Sequence, residues 1–174
     1  PVPLSTPPPD SVLPYDLRVV SYSIDDAQVL TAEVQDEYRR RYGGEGDVSP
    51  IDLHQFDAPH GHFVMIYVDD VPAAMGGWRI GGPAGTTDAE IKRMYVRPEF
   101  TRRGLARAVL GALETAAAAA GITRLVLETG TAQPEAIALY LSSGYVAVEP
   151  FGFYADYDDS VHLAKTVPPV GSTS

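Results

Sequence analysis

Val96-Arg97-Pro98-Glu99-Phe100-Thr101-Arg102-Arg103-Gly104-Leu105-Ala106-Arg107 joins the end of an apolar run to the start of an amphipathic one. Upstream, Glu90 to Val96 predicts a strand, and Pro98 ends it. Downstream, Leu105, Val109, Ala112, Leu113, Ala116 and Ala120 recur at helical spacing, and Gly121 stands where a helix would stop. The first N–H groups of a helix have no internal acceptor, and the helix dipole is positive there. Gly104 lets a ligand approach the backbone closely. Lys92, Arg93, Arg97, Arg102, Arg103 and Arg107 crowd this stretch, 6 of the 13 basic residues, and only Glu99 opposes them. A solvated face is the ordinary explanation of such a run. Its coincidence with a strand-to-helix turn points instead to an anion site, suited to a pyrophosphate.

Other phosphate loops and nucleophile turns are absent. The chain has no G-x-x-x-x-G-K-[ST], and its only lysines are Lys92 and Lys165. No G-x-G-x-x-G lies between a strand and a helix, and no G-x-S-x-G is present. Nucleotide sites of those kinds and a serine hydrolase are therefore not supported. With no cysteine, disulfides, thiolate metal sites and a thiol-bound acyl-enzyme are excluded too.

Working outward, the pattern is βααβ-like. Arg18 to Tyr22 predicts a first strand, and Asp25 opens a helix through about Tyr42, with Ala27, Leu30, Val34 and Tyr38 at helical spacing. Gly43 to His60 reads as loop, with a short helix after Ser49-Pro50. Phe63 to Val68 and Ala73 to Ile80 predict a hairpin turning at Asp69-Asp70. After the Gly121 stop, Leu125 to Thr129 predicts a strand parallel to Glu90–Val96, and Pro134 to Ser142 a helix closed near Gly144. Tyr145 to Val148 and Ser160 to Ala164 predict two last strands. The six prolines of 1–14 predict a tail without a core, residues 15–167 one domain, and 168–174 a second tail.

Charge and hydropathy narrow the partners. No apolar stretch approaches the roughly 18 residues of a membrane span. Pro1 to Asp16 has neither the basic start nor the apolar core of a signal peptide. The plain expectation is a soluble, cytoplasmic protein. The formal charge of −10 argues against nucleic acid, and acidic residues such as Asp156, Asp158 and Asp159 favour a cationic acceptor by steering. His54, His60 and His62 with Asp57 match no strong metal spacing, so no metal is expected.

Four pieces in order carry a family resemblance. Thr101-Arg102-Arg103-Gly104-Leu105-Ala106 resembles the [QR]-x-x-G-x-[GA] turn of the GNAT superfamily of N-acetyltransferases. Ala89 to Pro98 resembles that family's fourth strand, and Leu125-Val126-Leu127-Glu128-Thr129 its fifth. Gln133 to Tyr140, ending at Ser143-Gly144-Tyr145, resembles its N-x-x-A-x-x-L-Y…G-[FY] helix. Two positions depart: Thr101 stands where Gln or Arg is usual, and Gln133 where Asn is frequent.

The resemblance implies a mixed α/β (α+β) sheet with helices on both faces and splayed parallel strands four and five. It implies acetyl-CoA as co-substrate, its pantetheine arm bonded to the backbone of Met94, Tyr95 and Val96 like an added strand. The pyrophosphate would sit on Arg102, Arg103, Gly104, Leu105, Ala106 and Arg107. It implies direct attack of an amine on the thioester, with Glu90 as base, directly or through water, and Tyr140 as the acid that assists the departing sulfur. Two plainer readings stay open: Glu90 as a strand-end carboxylate paired with Arg79 or Lys92, and Tyr140 as a core aromatic. Trp78, Arg79, Phe151, Phe153, Tyr154 and Tyr157 are candidates for the acceptor pocket or for core closure. The Arg39-Arg40-Arg41 run reads as a solvated face. The expected function is acetylation of a primary amine on a small molecule, without nucleic-acid or membrane partners and with homodimerisation open. The alternatives are the same chemistry on a protein or peptide amine, or a non-catalytic acyl-CoA-binding sensor.

Overall fold

A computed structural model describes residues 14–171. Most of both expected tails, residues 1–13 and 172–174, lies outside the described residues. The elements run β1 (Asp16–Val19), α1 (Asp25–Tyr42), β2 (Gly61–Val68), β3 (Val71–Ile80), β4 (Asp88–Val96), α2 (Leu105–Ala119), β5 (Arg124–Gly130), α3 (Pro134–Ser142), β6 (Val146–Ala147) and β7 (Ser160–Thr166). They build one seven-stranded sheet in the order β1-β2-β3-β4-β5-β7-β6. Neighbours are antiparallel except β4 and β5, which are parallel and joined through α2.

Strand β2 shows why the sheet is covered on both sides. Successive side chains of a strand point to opposite faces. Val64, Ile66 and Val68 pack on one face with Leu105, Val109 and Leu113 of α2, and Leu125 and Leu127 of β5. Phe63, Met65 and Tyr67 pack on the other with Ala27, Leu30 and Val34 of α1, plus Tyr22 and Phe56. A strand buried on both faces reads as a continuous apolar run, as Phe63 to Val68 does. The β2–β3 hairpin turns at Asp69 and Asp70, both at positive φ (50° and 62°), as a tight two-residue turn requires.

Three expectations need correction. The first strand is Asp16–Val19, not Arg18–Tyr22, because the chain turns early to tuck the Tyr22 ring against Phe56 and Phe63. No helix follows Ser49-Pro50; that segment is held by side chains, with Arg79 donating to the Pro50 carbonyl and Phe56 buried beside Phe63. On α2 the buried stripe is Leu105, Val109, Leu110, Leu113 and Ala117, rotated from the predicted one, with Ala120 exposed. Trp78 belongs to the core: it is 2% exposed and its indole N–H donates to the Leu113 carbonyl at 3.0 Å.

Candidate active site

The site begins where two strands part. β4 and β5 pair only at Asp88–Arg124, Ala89–Leu125 and Glu90–Val126. The closed end is pinned by Arg124, which donates to both oxygens of the buried Asp88 carboxylate at 3.0 and 2.9 Å. Beyond Glu90 the strands diverge, which leaves the β5-facing backbone edge of Ile91–Val96 without a strand partner. A bulge falls in the same stretch. Met75 opposes Tyr95 and Gly77 opposes Lys92, so Arg93 and Met94 together face the single residue Gly76. Arg93 takes φ 62°. The extra residue switches the alternation: Ala89 and Ile91 face α2, but so do Met94 and Val96, while Tyr95 packs on the α1 side. Gly76 makes this fit, since a Cβ there would collide with the Met94 sulfur and Val109.

A cavity of about 1120 Å³ occupies the gap, from the N-terminus of α2 to the C-terminal end of α1. At the α2 end, Gly104 is the N-cap at φ 77° with no side-chain cap. The first intrahelical bond runs from Ala108 N–H to the Gly104 carbonyl, so the N–H groups of Leu105, Ala106 and Arg107 have no acceptor within the helix. Thr101, Arg102, Gly104, Leu105, Ala106 and Arg107 line this end together with Met94, Tyr95 and Val96; Arg103 does not. Arg107 also ties α2 to the end of α3 through Ser142 and Ser143.

The basic run is not one anion site. Lys92 and Arg93 turn to Asp47, and Arg97 pairs with Glu33 at 2.9 Å. That leaves Arg102, Arg103 and Arg107 at the turn. The sequence pattern could not show this, because Asp47 lies 46 residues upstream of Arg93 and Glu33 lies 64 residues upstream of Arg97.

At the other end Tyr140 and Glu128 line the same cavity. Tyr140 is 5% exposed at the end of α3, edge-on to Tyr145 at 5.6 Å. Burial, with the Glu128 charge adding to it, pushes its phenol above the usual range, so it stays protonated. Its hydroxyl makes no hydrogen bond to a described residue, so it is a donor facing the cavity. Glu128 sits where β5 leaves β4. Burial pushes its carboxyl up, against a hydrogen bond from Ser160 at 3.0 Å and the charge of Lys92. Among the described residues Glu128 forms no ion pair.

Glu90 does not line this cavity, although its charge reaches Glu128. Arg79 holds Glu90 at 3.0 Å, and it borders a separate pocket of about 390 Å³ with Phe151 and Gly152. Of the late aromatic loop, Tyr154 and Tyr157 reach the cavity, while Phe151 and Phe153 do not.

Sequence reasoning missed Glu128 as a site residue. The available signal was a single carboxylate directly after Leu125-Val126-Leu127 in a strand covered on both faces. Asp47 was missed for lack of any local signal. It accepts from Ser49 and Tyr154 hydroxyls at 2.6 and 2.5 Å and from Arg93 at 2.8 Å, while Gln35 bonds both its backbone groups. It thereby fastens the Gly43–Val48 wall of the cavity to β4 and to Tyr154.

Comparison with known proteins agrees with this geometry. Residues 31–145 match the model of the Acetyltransferase (GNAT) family. An IAA acetyltransferase from Azospirillum brasilense is 31% identical over 148 residues, 82% of this chain and 92% of that protein. A GNAT-family acetyltransferase structure from Staphylococcus aureus superposes with a TM-score of 0.72 at 12% identity, over 88% of this chain and 100% of that one. The PaiA N-acetyltransferase of Thermoplasma acidophilum, solved with coenzyme A, gives 0.65 at 16% identity, over 88% and 99%. With its family match, its relative and its splayed mixed sheet, the chain belongs to the GNAT acetyltransferase family and is an N-acetyltransferase.

Proposed function

We propose that this enzyme moves the acetyl group of acetyl-CoA to the primary amine of a small molecule by direct attack, with Glu128 as base and Tyr140 as acid. The observation that carries it is one cavity holding an uncapped helix N-terminus at one end and an unpaired carboxylate with a neutral phenol at the other. The small-molecule reading is supported by the IAA acetyltransferase relative, and the co-substrate by the coenzyme A complex of a protein of the same fold.

The residues present fit an acyl-CoA. The α2 N–H groups with Arg102 and Arg107 suit a pyrophosphate, and the free edge of Met94–Val96 suits an amide-bearing arm. Acetyl-CoA supplies an activated thioester carbonyl. Glu128 takes a proton from the acceptor ammonium, helped by a raised affinity for protons. An N–H of the free β4 edge near Tyr95 is available to the carbonyl oxygen as its charge develops. Tyr140 donates to the sulfur. Overall one amide forms, one thioester breaks, CoA leaves as the thiol, and one proton reaches solvent.

Thiol release against an amine panel tests this reading. Glu128→Gln and Tyr140→Phe should each lower kcat by about 10²-fold, with acetyl-CoA affinity almost unchanged. The acid limb of the kcat/KM profile, set by Glu128, should vanish in Glu128→Gln. A lost limb in Glu90→Gln, with Glu128→Gln still titrating, would return the base role to Glu90. Wild-type turnover in Tyr140→Phe would remove Tyr140 from the mechanism.

A further inference from the structure

Building on that reading, we infer that the acceptor is a primary amine with a flat apolar body and no carboxylate. The acceptor half of the cavity lies between the end of α1, the Gly43–Val48 loop, Glu128 and the loop before β7. Tyr38, Tyr42, Tyr154 and Tyr157 line it. Tyr157 is 52% exposed at the rim, so a ring resting on it covers apolar surface that water now touches. A substrate ammonium among such rings is attracted by their faces and by Glu128, which forms no ion pair among the described residues and feels Lys92 only at a distance.

The cations of this half exclude an acid. Arg41 is held by Glu37 at 2.9 Å, by Glu135 at 2.6 Å and by the Ala132 carbonyl at 2.8 Å. Lys92 bonds the Ser49 hydroxyl at 2.8 Å and lies 3.6 Å from Asp47. Arg93 is buried against Asp47 at 2.8 Å. An acceptor carboxylate would have to take one of these from its partner and leave a protein carboxylate unpaired. The remaining lining arginines, Arg102 and Arg107, stand at the opposite, α2 end. Glu45 and Asp159, which line the cavity and form no ion pair among the described residues, add repulsion. Discrimination here is therefore by exclusion of the wrong charge as well as attraction of the right one.

Three acceptors sharing a phenyl ring and an amine separate the terms: 2-phenylethylamine, phenylalanine and phenylalanine methyl ester. We expect kcat/KM for 2-phenylethylamine to exceed that for phenylalanine by about 10²-fold, and the ester to recover most of the difference. Tyr157→Ala should raise KM for 2-phenylethylamine about tenfold, with kcat kept and with little change for hexylamine. Equal use of phenylalanine and 2-phenylethylamine would overturn the inference, as would an ester as poor as the acid. If acetyl-CoA binds but no amine of the set reacts, the acceptor class is wrong. If acetyl-CoA does not bind in a titration, the proposed function itself fails.

Discussion

Two carboxylates on one cavity wall are held in opposite ways. Burial alone would push the Asp47 carboxyl up, but Lys92, the Ser49 and Tyr154 hydroxyls and Arg93 hold it well below the usual carboxylate range. Its folded pKa is depressed, so its stabilisation is present above the unfolded value and is lost as pH falls toward the folded one. Glu128 is raised by burial, so its charge weakens the fold, and that penalty appears as pH rises through the folded value. Asp47→Asn should therefore cost about 2 kcal/mol at neutral pH, lowering Tm by about 4–8 °C. Glu128→Gln should raise Tm while lowering kcat about 10²-fold. Melting curves from pH 7 downward check both. The Asp47 difference should shrink below about pH 4, and the Glu128 difference should close as that carboxyl protonates. A Glu128→Gln protein less stable than wild type at pH 7 would mean that the carboxylate is better solvated than its position between the strands suggests. Tyr154, its phenol pushed up to about 12 by burial and by Asp47, remains a donor throughout this range.

Elements made of local pattern were legible, and those made by distant partners were not. α1 and α3 fall where spacing and punctuation placed them, Asp25–Tyr42 and Pro134–Ser142. The α2 turn was legible for the same reason: a helix terminus, a glycine and basic residues are all neighbours in sequence. The β4 bulge was not. A period-2 reading puts Ile91, Arg93 and Tyr95 on one face, and nothing local marks the extra residue, whose cause is the room left by Gly76 on the adjacent strand. The redistribution of Lys92, Arg93 and Arg97 to Asp47 and Glu33 was hidden likewise.

The turn gives a prediction at this scale. Gly104 sits at φ 77°, where a side chain strains the backbone, yet a Cβ there would meet no described atom within 4 Å. Gly104→Val should thus cost about 1–2 kcal/mol of stability. It should also weaken acetyl-CoA binding about tenfold or more by blocking the approach to the α2 N–H groups. Calorimetric titration of a still-folded variant checks this, and unchanged affinity would show that the pyrophosphate binds elsewhere.

The whole molecule is a sheet with an opening in its middle. β1 to β4 carry α1 on one face, and β5, β7 and β6 form the other wing. Three residue pairs and the Asp88–Arg124 contact join the wings directly. α2 packs across β2, β3 and β4, and its cluster reaches Leu125, Leu127 and Leu163 beyond the gap. A ligand that lies along Ile91–Val96 supplies the backbone partner that β5 does not. Acetyl-CoA binding should therefore tighten the junction of the wings as well as the turn proposed to hold its phosphates. At about a hundred times Kd it should add about 2.7 kcal/mol, a Tm rise of about 5–10 °C. The location matters more than the size. Hydrogen exchange should slow at the gap-facing amides of Ile91–Val96 as well as at Leu105–Arg107, since neither set has a strand or helix acceptor among the described residues. Protection confined to Leu105–Arg107 would mean that the arm does not run along β4, and the added-strand description would fall while the anion site stood.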